Sequence, residues 1–342
     1  MNRMSVRRVA AVAVAFATAA AGLALVGAGT ASAAVPVRGT FAPVDPVRIL
    51  DTRDGTGVVD QRVGPLGIRM AGRRGENLPV AALGIGQALK LDVTGVGGVP
   101  DTGAGAVVLN VTVTEAAGPG YVTVYPCGDL RPLASNVNVR RGVSVANQVT
   151  AKVGRDGHVC FFTATTTHLV ADLSGWYADD IATVPGFFYE PLSPERIVDT
   201  RDGTGLGSRA VGQLAAGEVL PVTIPGAGGV PADADVRAAT MSVTVTGATE
   251  AGFITVFPCD RERPVVSNVN FDPSNPTMAN LATSRVSSSG QVCFFASVAT
   301  DLVVDIQGYF SPNPAVVFTG LTPVRVLDTR DGTGVVGSRP AR

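Results

Sequence analysis

The sequence predicts an all-β protein: two tandem antiparallel β-sandwich domains of jelly-roll-like form. Three observations carry this. Residue types alternate with a period of two, turn-forming residues are dense, and one long pattern of motifs occurs twice. The alternation is plainest where Val107, Leu109, Val111 and Val113 interleave with Val108, Asn110, Thr112 and Thr114, the side-chain periodicity of a strand. Tyr121–Tyr125, Asn136–Val139 and Leu169–Leu173 behave similarly. The 41 Gly and 23 Pro of the 342 residues punctuate these runs. An interior Gly costs a helix roughly 1 kcal/mol and a Pro about 3, so long helices are excluded. With 46% hydrophobic residues the chain can bury a core, which excludes disorder. A net charge of −1 leaves no basic stripe for nucleic acid.

The first element is a leader. Arg3, Arg7 and Arg8 precede an uncharged run from Val9 to Gly29, and Ala31-Ser32-Ala33 supplies small residues at a cleavage site. Residues 1–33 therefore read as a secretory signal peptide cleaved after Ala33 or Ala34. Arg7-Arg8 leaves both the general and the twin-arginine export routes open. No later segment has the length and apolarity of a membrane span, so no membrane association is expected after cleavage.

The repeat follows. Pro46-Val-Arg-Ile-Leu-Asp-Thr-Arg-Asp-Gly-Thr-Gly57 recurs at Pro194–Gly205 and again at Pro323–Gly334. Behind the first two copies, Gly97–Pro100 matches Gly228–Pro231, and Asn110–Thr114 matches Ser242–Thr246. Tyr121–Cys127 matches Phe253–Cys259, Ser135–Asn138 matches Ser267–Asn270, and Ala146-Asn147 matches Ala279-Asn280. Val159–Phe162 matches Val292–Phe295, and Leu169–Tyr177 matches Leu302–Phe310. The expected organisation is a first domain over 38–180, a second over 186–310 and a partial third repeat over 315–342. Each body contains about eight or nine strands, which favours a jelly roll over an immunoglobulin fold. The first copy is longer by a Gly- and Arg-rich stretch near 62–85, expected to be a loop.

Cys127 and Cys160 occupy the same places in the first body as Cys259 and Cys293 in the second. An even count in an exported chain reads as disulfides, and within-repeat pairing preserves the symmetry. Zinc is the competing reading, weakened by the absence of a repeated His.

Catalytic chemistry finds little support. His158 aligns with Gln291 and His168 with Asp301, so neither histidine belongs to the repeated framework. No Gly-x-Ser-x-Gly elbow, nucleotide loop or zinc-protease motif is present. The strongest constellation is the thrice-used Asp-Thr-Arg-Asp-Gly-Thr-Gly. Simple alternation puts Arg48, Leu50 and Thr52 on one face and Ile49, Asp51 and Arg53 on the other. Charged residues among aliphatic ones suggest an ion-pair clasp of Arg48, Asp51 and Arg53, repeated as Arg196, Asp199 and Arg201 and as Arg325, Asp328 and Arg330. Asp172 and Asp305, in apolar last strands, could pair with these arginines and tie each repeat's first and last elements together. A calcium loop on Asp51 and Asp54, and a sugar or carboxylate site on Arg53, are the alternatives. Asn136, Asn138, Asn268 and Asn270, with Asn147 and Asn280 behind them, either cap backbone groups inside the sandwich or line a carbohydrate groove. Trp176 and Tyr309 are either packing or sugar-stacking faces.

Taken together, Pro-x-Arg-x-x-Asp-Thr-Arg, Asn-Val-Thr-Val-Thr, Ser-Asn-Val-Asn, Ala-Asn and Asp-x-x-Gly-aromatic-aromatic resemble a repeat common in secreted proteins of high-GC Gram-positive bacteria. The resemblance spans roughly 41–342; that Lys90 and Lys152 are the only lysines accords with such a source. It implies a largely uncharacterised cell-surface module, often appended to exported cell-wall hydrolases, without catalytic residues of its own. The expectation is a secreted, extracellular, envelope-associated protein without enzymatic activity or cofactor, structural or adhesive in role. The alternative is a carbohydrate-binding module for wall or extracellular polysaccharide. Cell-wall glycan or another surface protein would be the partner. The third motif either closes the second domain, donates a strand to a neighbouring copy through 315–342, or begins a repeat of a longer protein.

Overall fold

The computed structural model describes residues 39–57, 68–70, 81–182, 186–313 and 316–334, all within one compact unit, Pro36–Arg342. The signal peptide expected over residues 1–33 lies outside the described residues. Among the described residues there are seventeen strands and no helix, and none of the segments is a helix long and apolar enough to cross a membrane.

The first body comprises β1 (Phe41–Asp51), β2 (Ile68–Met70), β3 (Ala88–Asp92), β4 (Ala104–Thr114), β5 (Gly120–Pro126), β6 (Val137–Val139), β7 (Val145–Lys152), β8 (His158–Thr163) and β9 (His168–Ala178). Its sheets run β1-β9-β4-β7 and β2-β3-β8-β5-β6. The second body comprises β10 (Phe188–Asp199), β11 (Val219–Thr223), β12 (Ala238–Thr246), β13 (Gly252–Pro258), β14 (Val269–Phe271), β15 (Met278–Arg285), β16 (Gln291–Ala296) and β17 (Asp301–Ser311). Its sheets run β10-β17-β12-β15 and β11-β16-β13-β14. Setting β2 aside, each body has the first strand beside the last and the two-sheet order of a jelly roll. The stretch expected as a plain loop contains β2, which pairs parallel with β3. All other strand pairings are antiparallel.

Each body closes on its own apolar core. In the first, Val107, Leu109, Val111 and Val113 of β4 face Val122, Val124, Val159 and Phe161 of the opposite sheet; in the second, Met241, Val243 and Val245 face Ile254, Val256, Val292 and Phe294. Disulfides join Cys127 to Cys160 and Cys259 to Cys293, spanning 33 and 34 residues with Cα separations of 5.1 and 5.0 Å. Closing loops of this length stabilises by roughly 4 kcal/mol in the chain-entropy model.

The bodies also meet each other. Phe41 and Phe187 exchange backbone hydrogen bonds of 2.8 Å in each direction. Asp45 receives Arg261 at 2.8 Å and Arg285 at 2.7 Å. The Gln148 amide donates to Thr283 Oγ1 at 3.1 Å and accepts from the Thr283 backbone at 2.6 Å. The third motif does not close the second body, because β10 already fills the first-strand place there. Its lead-in instead crosses the junction: Phe318 N–H donates to Gly39 O at 2.9 Å and Tyr189 N–H to Val316 O at 3.3 Å.

Candidate functional site

The motif acts as a clasp. Asp51 is buried and accepts from the Arg53 backbone N–H (3.0 Å), Arg53 Nε (2.9 Å), Arg53 Nη2 (2.6 Å) and Arg48 Nη1 (3.2 Å). Arg48 Nε reaches across to Asp172 at 2.9 Å. The second copy matches: Asp199 accepts from Arg201 at 3.1, 2.9 and 2.7 Å and from Arg196 at 3.1 Å, and Arg196 Nε reaches Asp305 at 2.9 Å. In the third, Arg330 and Arg325 hold Asp328 in the same way. The expected tie between first and last strands is thus present in both bodies, where Arg48 stands opposite Asp172 and Arg196 opposite Asp305.

Strict alternation misplaced one residue. It put Arg48 on the face opposite Asp51, yet both grip the same network. The pairing shifts between Arg48 and Leu50, and between Arg196 and Val198. A one-residue bulge there reverses the alternation, so Arg48 and Asp51 share a face while Ile49 and Leu50 are both buried.

Burial pushes the Asp51 carboxyl up, but the hydrogen bonds and charge of Arg53, with the charge of Arg48, bring it below its ordinary value. Hydrogen bonding from Arg201 holds Asp199 at about 2, and Arg330 lowers Asp328 likewise. Asp172 is raised by burial against the pull of Arg48. A calcium ion at Asp51 would have to displace two guanidinium groups, and Arg53 spends its fork on its own motif. The alternatives based on calcium and on Arg53 therefore do not fit this donor set.

The neighbouring residues serve the clasp. Thr52 Oγ1 accepts from Leu169 N–H at 2.9 Å and contacts His168 Nδ1 at 2.9 Å. Thr200 Oγ1 accepts from Leu302 N–H at 3.0 Å and donates to Asp301 at 2.9 Å. His168 and Asp301, different in chemistry, do one positional job. The final glycine of the motif, Gly57, Gly205 or Gly334, has φ of +71°, +69° or +67°. Any Cβ there would collide with the carbonyl oxygen of Ile49, Ile197 or Val326, so the turn requires Gly.

The asparagines cap backbone. Asn136 Oδ1 accepts from Val124 N–H and Asn268 Oδ1 from Val256 N–H, both at 2.7 Å. Asn147 and Asn280 donate to the carbonyls of Asn136 and Asn268, both at 2.6 Å. Asn138 is exposed, and Asn270 keeps a buried amide nitrogen without a partner. Trp176 and Tyr309 lie in the two cores. Neither offers a face to a sugar, because each sits on the inward side of its last strand.

The aromatics that do cluster are their neighbours. Phe41, Tyr189 and Phe318 hold the same place, seven residues before Arg48, Arg196 and Arg325. They gather with Tyr177 and Phe310: Phe41–Phe310 at 4.4 Å, Tyr189–Phe310 at 5.0 Å and Tyr177–Phe318 at 4.1 Å between centroids. A Cβ on Gly175 would strike the Phe41 ring, and one on Gly308 the Tyr189 ring. The Gly of Asp-x-x-Gly therefore clears space for the motif's aromatic residue.

Beside this cluster opens a cleft of 280 Å³, lined by Gln148, Thr150, Tyr177, Tyr189, Thr240, Leu281, Thr283, Gln307 and Val316–Phe318. It draws on both bodies and the third motif's lead-in. Among the described residues, no charged side chain lines it.

No family model matches this chain, and no curated protein matches it. Among solved structures, the chain is similar to the N-terminal CBM22-1–CBM22-2 tandem domain of Paenibacillus barcinonensis Xyn10C, with 12% identity over 79% of this chain and 99% of that one, at a TM-score of 0.23. A mutant salicylate 1,2-dioxygenase from Pseudoaminobacter salicylatoxidans matches at 12% identity over 68% of this chain and 73% of that one, with a TM-score of 0.16. Likenesses this distant carry no argument about what the chain does.

Proposed function

We propose that the chain is a secreted, non-catalytic structural or adhesive repeat protein of the cell envelope, of the actinobacterial type that its motifs resemble. One observation carries this reading. The motif repeated three times, the richest in charged side chains, uses its arginines and aspartates on one another, so its invariance across the copies serves architecture. Disulfides in both bodies accord with an oxidising compartment outside the cell. The test is co-sedimentation of the secreted chain with isolated cell walls, with soluble wall fragments assayed in the supernatant. The proposal expects retention without fragment release. Catalytic release of fragments, or no retention, would contradict it.

A second reading, a carbohydrate-binding module, is supported by the junction cleft with its uncharged amide, hydroxyl and aromatic lining. Competition of wall retention by soluble saccharide separates the two.

A further inference from the structure

We infer that the cleft between the two bodies is a binding site for a short neutral saccharide, an inference that rests on the second reading above. Its floor is already satisfied: Gln148 is bonded to Thr283 through both ends of its amide, and Thr283 Oγ1 pairs with Thr240 Oγ1 at 3.0 Å. Three other lining groups have no hydrogen-bond partner among the described residues: the half-buried Tyr177 hydroxyl, the hydroxyl of the exposed Thr150 and the half-buried Gln307 side-chain amide. Together they offer donors and acceptors in one place, with the Tyr177 and Tyr189 phenols kept protonated by burial. Tyr189 meanwhile points its hydroxyl at the Gln307 carbonyl, 3.2 Å away.

The ligand class follows from what the wall offers. A charged ligand would lose its hydration and find no counter-charge among the lining residues. A purely apolar one would leave Tyr177 and Gln307 dry and unpaired. A pyranose supplies both needs, with C–H groups to lie against the apolar parts of the wall, the edges of Tyr189 and Phe318 and the side chains of Leu281 and Val316, and hydroxyls for the three unengaged groups. At 280 Å³ the cleft lies at the lower edge of ligand pockets, about 300–1,000 Å³, which suits one or two sugar rings. Because Val316–Phe318 form one wall, the site exists only when the third motif's lead-in is docked. That gives the third copy a use that neither jelly roll alone requires.

Titration calorimetry on the full secreted chain tests this, using glucose, galactose, mannose, xylose, N-acetylglucosamine and their disaccharides up to tens of millimolar. The inference expects saturable binding of at least one. Tyr177→Phe, Gln307→Ala and Thr150→Val should each weaken it about tenfold, with an unchanged melting temperature showing that the fold is intact. Binding indifferent to all three variants would overturn the cleft while leaving the carbohydrate reading in place. No binding by any of these sugars would overturn both.

Discussion

Strands β4 and β12 hold the same place in the same fold, yet they are buried differently. In β4 Asn110, Thr112 and Thr114 are buried along with the core valines, whereas their counterparts Ser242, Thr244 and Thr246 in β12 remain partly open. Side chains of the second body bond to that face of the first, Asn280 donating to Asn110 at 2.9 Å; on the second body's own face Thr240 and Thr283 are covered at the junction, and Ser242, Thr244 and Thr246 are not. The clasps record the same asymmetry. Asp172 and Arg48 are 3% and 22% exposed, against 28% and 44% for Asp305 and Arg196. The inner member is unaffected, since the Asp51 and Asp199 side chains are both 2% exposed. The clasp is self-contained, and only its cross-strand arm feels the neighbouring body. Among the described residues the third copy has no such arm, and Val326 is 75% exposed while Ile49 is 4%.

The largest expected effect treats the bodies alike. Replacing Cys127 and Cys160 with alanine, or Cys259 and Cys293, should cost each body roughly 4 kcal/mol, read by denaturant unfolding; a loss confined to one of them would break the equivalence. Next comes the cross-strand arm. Arg48→Ala strands a buried carboxylate and should cost about 3 kcal/mol, while Arg196→Ala, in the open copy, should cost under about 1 kcal/mol. Equal losses would mean that the covering of the first body is immaterial.

The smallest effect is a pH dependence whose sign differs between two aspartates. Asp199, held at about 2, stabilises the fold fully above its ordinary value near 3.9, and this contribution disappears as pH falls toward 2. Asp172 is shifted upward, so its contribution is present at low pH and is lost as pH rises above that ordinary value. Melting temperatures from pH 2 to 7 should show Asp199→Asn flattening the acid limb. Asp172→Asn should gain on the unsubstituted chain as pH rises.

Much of this was legible in the chain. The eight strands common to both bodies, the symmetric cysteine pairing and the arginine-to-last-strand tie all follow from motifs recurring at fixed places. The bulge at Ile49 was not, because a one-residue change of phase leaves no mark in composition. Neither was the inward placement of Trp176, since an aromatic on a strand reads the same on either face. The cleft was invisible for another reason: β7, β9, β10, β12, β15, β17 and the segment 316–318 supply its walls, and only packing brings them together. One signal had been available. Phe41, Tyr189 and Phe318 recur in register with the three motifs, and that register marks the junction.

The most direct test is equilibrium unfolding of three chains, each with one motif aspartate replaced: Asp51→Ala, Asp199→Ala and Asp328→Ala. If the motif is architecture, the first two should each lose about 3 kcal/mol by orphaning a network with a buried centre. The third, where no strand of the described residues packs on the clasp, should leave the unfolding midpoint unchanged. Equal losses in all three, or none in the first two, would contradict the account.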